Sequence, residues 1–96
     1  MPRLEKPAPD QGPPPVEVTC LLFAVLREKA GADRVRLSLP GGARARDVSR
    51  EVARRHAALE DVIHRSRIAV NGEFCDRDRP LSSGDEVAII PPVSGG

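Results

Sequence analysis

The chain ends in residues suited to reach rather than packing. Val93, Ser94, Gly95 and Gly96 follow Pro91 and Pro92, and these in turn follow an apolar run from Val87 to Ile90. The two prolines fix φ, lack amide donors and end sheet pairing, which sends the chain outward along an extended, polyproline-like path. From Pro91 to Gly96 the reach is about 20 Å at roughly 3.3 Å per residue. Gly95 and Gly96 add no side chain, so the terminal carboxylate of Gly96 can pass down a slot closed to any other residue. The reactive group on offer is that carboxylate, delivered into the active site of another protein. A frayed terminus would explain a bare Gly-Gly end, but not the strand and prolines that stiffen its root.

Other residue types offer less. His56 and His64 stand singly and read as solvated surface histidines. Cys20 lies in an apolar stretch and Cys75 just after a turn, with no C-x-x-C and no His pair, so both read as small hydrophobes or free thiols and no metal site is expected. Two cysteines cannot hold a plant-type iron-sulfur cluster. The charged arc Asp76 to Arg79 reads as a solvated loop rather than a carboxylate pair for acid-base work.

Fifteen basic residues against fourteen acidic give no electrostatic case for a nucleic-acid or membrane partner. Thirteen of the basic residues are arginine, dispersed along the chain as a solvated surface would have them. No apolar run has the length to span a bilayer, and the N-terminus lacks the basic-then-apolar order of a signal peptide, so the cytoplasm is the expected compartment.

The elements that must hold the tail follow from the patterning. Residues 1–15 contain six prolines and no apolar periodicity, and are expected to form a disordered extension. The folded domain is expected over residues 16–90 and the extended tail over 91–96. With two phenylalanines, no tyrosine and no tryptophan, its core must be aliphatic. Val16, Val18, Cys20 and Leu22 alternate with Glu17, Thr19, Leu21 and Phe23, which predicts a strand covered on one face whose other face turns apolar at its end. Ala24 to Ala30 forms a turn or single helical turn closed by Gly31, and Arg34 to Leu39 a second strand pairing with the first. Ala45, Val48, Val52 and Leu59 fall at helical spacing and predict the one main helix, though Arg44 stands where a capping Ser, Thr or Asp belongs. Ile68 and Val70 lead into Asn71-Gly72, a hairpin signal, and Ser83-Gly84-Asp85 turns the chain into a last strand, Glu86 to Ile90. The class is α+β, a β-grasp with a mixed sheet in β-β-α-β-β order, whose first and last strands lie adjacent and parallel in the middle.

With L-F-A-V-L-R-E at 22–28, V-N-G at 70–72, P-L-S-S-G-D-E-V at 80–87 and I-P-P-V-S-G-G at 90–96, the chain resembles the small-subunit family of molybdopterin synthase over nearly everything after residue 15. The Gly-Asp-x-Val turn and Gly-Gly end are shared with thiazole-pathway sulfur carriers and, more loosely, with ubiquitin-like proteins. Pro-Pro-Val-Ser before Gly-Gly points to the molybdopterin branch. Departures are the proline-rich extension, the missing cap at Arg44 and an aliphatic Ile90 where an aromatic is often found.

The resemblance implies that an ATP-using, ubiquitin-activating-type adenylyltransferase converts the Gly96 carboxylate to an acyl-adenylate. A sulfur donor protein then supplies the sulfur of a terminal thiocarboxylate. Carried by Gly95, Ser94, Val93, Pro92 and Pro91 into the large subunit, that sulfur would attack the pterin precursor, cyclic pyranopterin monophosphate, on the way to the molybdenum cofactor. A heterotetramer with the large subunit is implied, with no bound cofactor and no activity of the small subunit alone. The family's docking patch maps onto Phe23, Phe74 and Ile90, near the root of the tail. Rival readings are a carrier for thiazole or cysteine synthesis, a ubiquitin-like modifier joined to lysines, and an interaction module with an inert tail.

Overall fold

The computed structural model describes residues 13–92. Strand β1 (Val16–Leu22) buries Val16, Val18, Cys20 and Leu22 on one face, as the alternation predicts. Phe23 continues the extended path at φ −121° and ψ 154°, Ala24 swings to a left-handed φ of 54°, and α1 (Ala24–Ala30) follows, closed by Gly31 at φ 76°. A left-handed φ costs a non-glycine residue about 1–2 kcal/mol. Here it turns the chain out of the sheet immediately after Phe23. Strand β2 (Arg34–Leu39) returns antiparallel to β1, with Val16 opposite Leu39 and Leu21 opposite Arg34.

Helix α2 (Ala45–Arg55) buries Ala45, Val48, Ser49 and Val52 along one stripe. Its start is better specified than the sequence suggests, because Asp47 Oδ2 accepts the Arg44 N–H at 2.7 Å, supplying the carboxylate half of a capping box. Two more free donors of the first turn are satisfied from afar: the Ala45 and Arg46 N–H groups each donate at 2.9 Å, to the carbonyls of Arg79 and Arg77. Near its end, Glu51 accepts from Arg54 and Arg55, and those hydrogen bonds pull its carboxyl down to about 2.

The single-helix expectation needs correcting. After a 3₁₀ turn at Ala57–Leu59 comes a further helix, α3 (Glu60–Arg65), which adds Ile63 to the core beside Leu59. Six residues are too few to hold a helix by propensity, and tertiary contacts hold this one. The Arg77 guanidinium donates to the carbonyls of His64 at 3.0 Å and Ser66 at 2.9 Å, tying down the end of α3. Arg77 is half-buried, so the arc 76–79 is not the solvated loop expected; it caps α2 with its carbonyls and α3 with a side chain.

Strands β3 (Arg67–Val70), β4 (Glu73–Cys75) and β5 (Glu86–Ile90) complete a sheet of order β2-β1-β5-β3-β4. β1 and β5 are parallel and central, as a β-grasp requires. The short return of the hairpin is itself a paired strand, so the sheet has five strands where the β-β-α-β-β order names four. Asn71 at φ 52° and Gly72 at φ 85° give the doubly left-handed turn that suits a two-residue hairpin.

Two separate sequence signals turn out to be one structure. The Asn71 amide donates to Asp85 Oδ1 at 2.9 Å and accepts the Glu86 N–H at 2.9 Å, while the Asn71 N–H donates to the Glu86 carbonyl at 2.8 Å. Asp85 Oδ2 also accepts the Ser82 N–H at 2.8 Å. The Asn71-Gly72 turn is thereby clasped to the turn before β5, and β5 is fixed in register at the end opposite the tail.

The helices cover one face of the sheet. Cys20, Val87, Ile89, Val70, Leu26, Val48 and Val52 lie there at 0–1% exposure, an aliphatic core as the composition demands. Of the expected extension, residues 1–12 lie outside the described part; Pro13–Pro15 are exposed, and Pro13 lies so close to Gly41 that a Cβ there would sit 2.5 Å from its carbonyl oxygen. No helix among the described residues is long and apolar enough to cross a membrane.

Candidate functional site

Strand alternation builds the site. Because Cys20, Leu22, Val87 and Ile89 point into the core, Leu21, Ala88 and Ile90 point to the other, helix-free face. Pairing aligns them in rungs: Arg34 opposite Leu21, Leu21 beside Ala88, Ala88 opposite Ala69, and Ala69 opposite Phe74. One rung nearer the tail, Ile90 is opposite Arg67, and Phe23 lies level with Ile90, one step past the Leu22–Ile89 pair.

The two phenylalanines are the exposed large hydrophobics among the described residues, Phe23 at 43% and Phe74 at 53%. Neither is core. Two exposed aromatic rings on one sheet face, joined by half-buried Leu21, Ala88 and Ile90, make a contiguous apolar patch of the kind that marks a docking surface. The expectation that Phe23 ends β1 needs one refinement: β1 ends at Leu22, and Phe23 is the N-cap of α1, still extended and still on the open face. Leu21 and Ala88 complete the patch, and the signal for Leu21 was its place on the second face of β1.

Arg67 belongs to this surface too: alternation with buried Ile68 and Val70 turns it to the open face, and the register of β3 against β4 decides which ring it meets. Its guanidinium carbon sits 3.8 Å from the centre of the Phe74 ring, within the range of a cation–π contact. Arg34 closes the neighbouring rung on β2.

The tail leaves from this patch. Ile90 is half-buried, Pro91 half-buried and Pro92 exposed, with no further sheet pairing after Ile90 among the described residues. Val93, Ser94, Gly95 and Gly96 lie outside the described residues. The carboxylate expected to react is among these, while Ile90, Pro91 and Pro92, from which the tail starts, are described.

The thiols are not placed for chemistry. Cys20 is fully buried, and burial pushes its thiol up to about 12; Cys75 is half-buried and is also raised, chiefly by burial, with Arg79 working against the shift. Both are free. On the helical side, a cavity of about 260 Å³ between α2 and α3 is lined by Arg46, Ser49, Ile63, His64 and Arg77. Of the guanidinium groups that line it, Arg46 is engaged with Asp78 and Arg77 with backbone carbonyls, while Arg50 lies 3.9 Å from Asp47 and is largely exposed. His56 caps the end of α2 and lies half-buried, more enclosed than a solvated histidine.

Known proteins resemble this chain in sequence and in fold. The chain is 38% identical over 84 residues to the molybdopterin synthase sulfur carrier subunit of Chlamydomonas reinhardtii, which covers 84% of this chain and 100% of that one. The crystal structure of SAMP1 from Haloferax volcanii matches with a TM-score of 0.75 at 33% identity, over 83% of this chain and 99% of that one. A protein–protein complex of subunits 1 and 2 of molybdopterin-converting factor from Helicobacter pylori contains a chain of the same fold, with a TM-score of 0.61 at 21% identity, over 84% of this chain and 100% of that one. The model of the ThiS family matches residues 20–96, a span that runs from the middle of β1 through the whole tail, and the chain belongs to that family.

Proposed function

We propose that this chain is the sulfur-carrier subunit of a molybdopterin synthase, with Gly96 as the atom-transferring residue. The observation that carries the reading is the shared location of two features: the apolar patch of Phe23, Phe74 and Ile90 lies on the open face, and the strand that ends at Ile90 feeds the Pro91-Pro92 root of the tail. A protein docked on that patch lies within reach of a tail of about 20 Å.

The chemistry follows from the carboxylate. A carboxylate is a poor electrophile, so a ubiquitin-activating-type adenylyltransferase uses ATP to make the Gly96 acyl-adenylate with loss of pyrophosphate. Sulfur from a donor protein then displaces AMP and leaves a thiocarboxylate. That group is ionised at neutral pH, since a thioacid is far more acidic than a thiol, and it is the nucleophile that enters the large subunit and attacks the pterin precursor. The chain's own thiols are poor substitutes: a thiol raised to about 12, as Cys20 is, holds almost no thiolate at neutral pH. The large subunit supplies the pocket and the catalytic groups, in a heterotetramer of two copies of each. The small subunit is inactive alone and binds no cofactor. We place the cycle in the cytoplasm, where ATP is at hand and free cysteines persist.

Reconstitution with the adenylyltransferase, a sulfur donor and the large subunit tests this. Deleting Gly96, or adding one residue after it, is expected to abolish sulfur transfer while the thermal midpoint stays put. An extended variant that still transfers sulfur removes Gly96 from the role. Likeness to SAMP1, the small archaeal modifier protein 1 by name, favours one second reading, conjugation of Gly96 to lysines. It predicts a ladder of conjugates in cell extracts, where the first reading predicts a complex with the large subunit.

A further inference from the structure

The open face of the sheet carries charged side chains at both ends of its apolar rungs. At the end remote from the tail stand Glu17 on β1, Glu86 on β5 and, in the rung of Thr19 and Glu86, Arg36 on β2. At the tail end the apolar rungs terminate in Arg34 on β2 and Arg67 on β3. Both arginines are exposed. Among the described residues, every ion pair within 4.0 Å lies on α2 or joins it to the 76–79 loop, and neither Arg34 nor Arg67 takes part in one. Arg67 is held in place by stacking 3.8 Å above the Phe74 ring rather than by a carboxylate. Among the described residues its guanidinium donors meet no carboxylate within 4.0 Å, while the side chain stacks on the most exposed aromatic of the patch.

We propose that Arg67 is a specificity-determining contact of the docking surface: it pairs with a carboxylate, an Asp or Glu side chain, on the large subunit that receives the tail, with Arg34 reinforcing the same acidic complement at the patch's other edge. This rests on the reading of the chain as the small subunit of a molybdopterin synthase. Position on the sheet fixes the occupant. Arg67 is opposite Ile90, the last paired residue before the tail, so whatever protein admits the tail must cover Arg67 as it covers Phe74. A guanidinium covered by a partner without an opposing carboxylate would be buried unpaired, at heavy cost. A partner that supplies one gains a charge-assisted, planar contact in an otherwise apolar interface, which sets register and rejects surfaces of the wrong charge.

The test is titration calorimetry of the full chain against the large subunit from the same organism, at several salt concentrations, with Arg67→Glu, Arg67→Met and Arg67→Lys. Arg67→Met keeps a long apolar side chain over Phe74 and removes only charge and donors. Wild-type binding is expected to weaken as salt rises, as a desolvating ion pair at an interface edge would have it. Arg67→Glu should weaken binding by about 100-fold and Arg67→Met by about tenfold, the latter with a flatter salt dependence, and Arg67→Lys, which keeps the charge but loses the planar stacked fork, should fall between wild type and Arg67→Met while keeping the salt dependence. Denaturation midpoints of all three should match wild type, since the side chain is exposed. Arg67→Met binding with wild-type affinity and wild-type salt dependence overturns the proposal and leaves the small-subunit reading intact. A wild-type chain that does not bind the large subunit overturns both.

Discussion

The two faces of the sheet are made from the same strands and differ only in which alternate residues they present. On β5, Val87 and Ile89 are at 0% exposure under the helices, while Ala88 and Ile90, their immediate neighbours, are half-exposed on the other side. On β1, Cys20 and Leu22 are buried while Leu21 and Phe23 face out. The covered face is aliphatic and closed. The open face keeps both of the chain's phenylalanines, the residues that would contribute most to a core of this size, at 43% and 53% exposure. A small domain that leaves its largest apolar side chains in water holds them for association, and folding has to be secured by the opposite face alone.

That contrast can be broken at its strongest point. Ile89→Ala, on the covered face, should lower unfolding free energy by about 3 kcal/mol, because it removes a fully buried side chain and leaves a cavity; urea denaturation reads this directly. Affinity for the large subunit, measured under conditions where the variant stays folded, should hardly move. Phe74→Asp, on the open face, should do the reverse: binding weakens by about 2 kcal/mol or more, while the denaturation midpoint changes little. If Phe74→Asp unfolds the free protein, or binds normally, the open face is not reserved for docking.

Acid–base behaviour sharpens the same comparison. Cys20 lies on the covered face, where burial raises its thiol from 9.0 to about 12, so the folded chain holds a proton that the unfolded chain releases above pH 9. Stability from this group is complete below pH 9 and is lost as pH rises toward 12, by about 1 kcal/mol between pH 9 and pH 10. Cys20→Val should flatten that slope in denaturation curves taken across the range. An unchanged slope would mean that the thiol is reached by water and the covered face is less sealed than its packing indicates.

Much of the fold could be read from residues alone, because period-two alternation in β1 and β2, the Asn71-Gly72 and Gly84-Asp85 turns, and the helical stripe of Ala45, Val48 and Val52 are local signals. What escaped was non-local. Helix α3 is too short for periodicity to show, and it depends on Arg77, which reaches it from the loop after β4. The start of α2 looked uncapped because two of its donors are satisfied by Arg77 and Arg79 rather than by neighbours. Within the site, Phe23, Phe74 and Ile90 were recognisable from the family resemblance and strand parity, and the structure places all three on the open face. Alternation with Ile68 and Val70 gives Arg67 the same face, but which ring it covers is set by how β3 registers against β4, a non-local fact. The tail residues Val93 to Gly96 rest on sequence chemistry throughout.

Whether Gly96 carries sulfur can be read from the mass of the C-terminal peptide taken from cells. A fraction of the peptide is expected to be heavier by one oxygen-to-sulfur exchange at the terminal carboxylate, to shift further in mass when the thioacid is alkylated, and to be lost when the adenylyltransferase is deleted. A peptide that ends in an unaltered Gly96 carboxylate in cells actively making the cofactor, or one found joined only to lysine side chains, would contradict that role for Gly96.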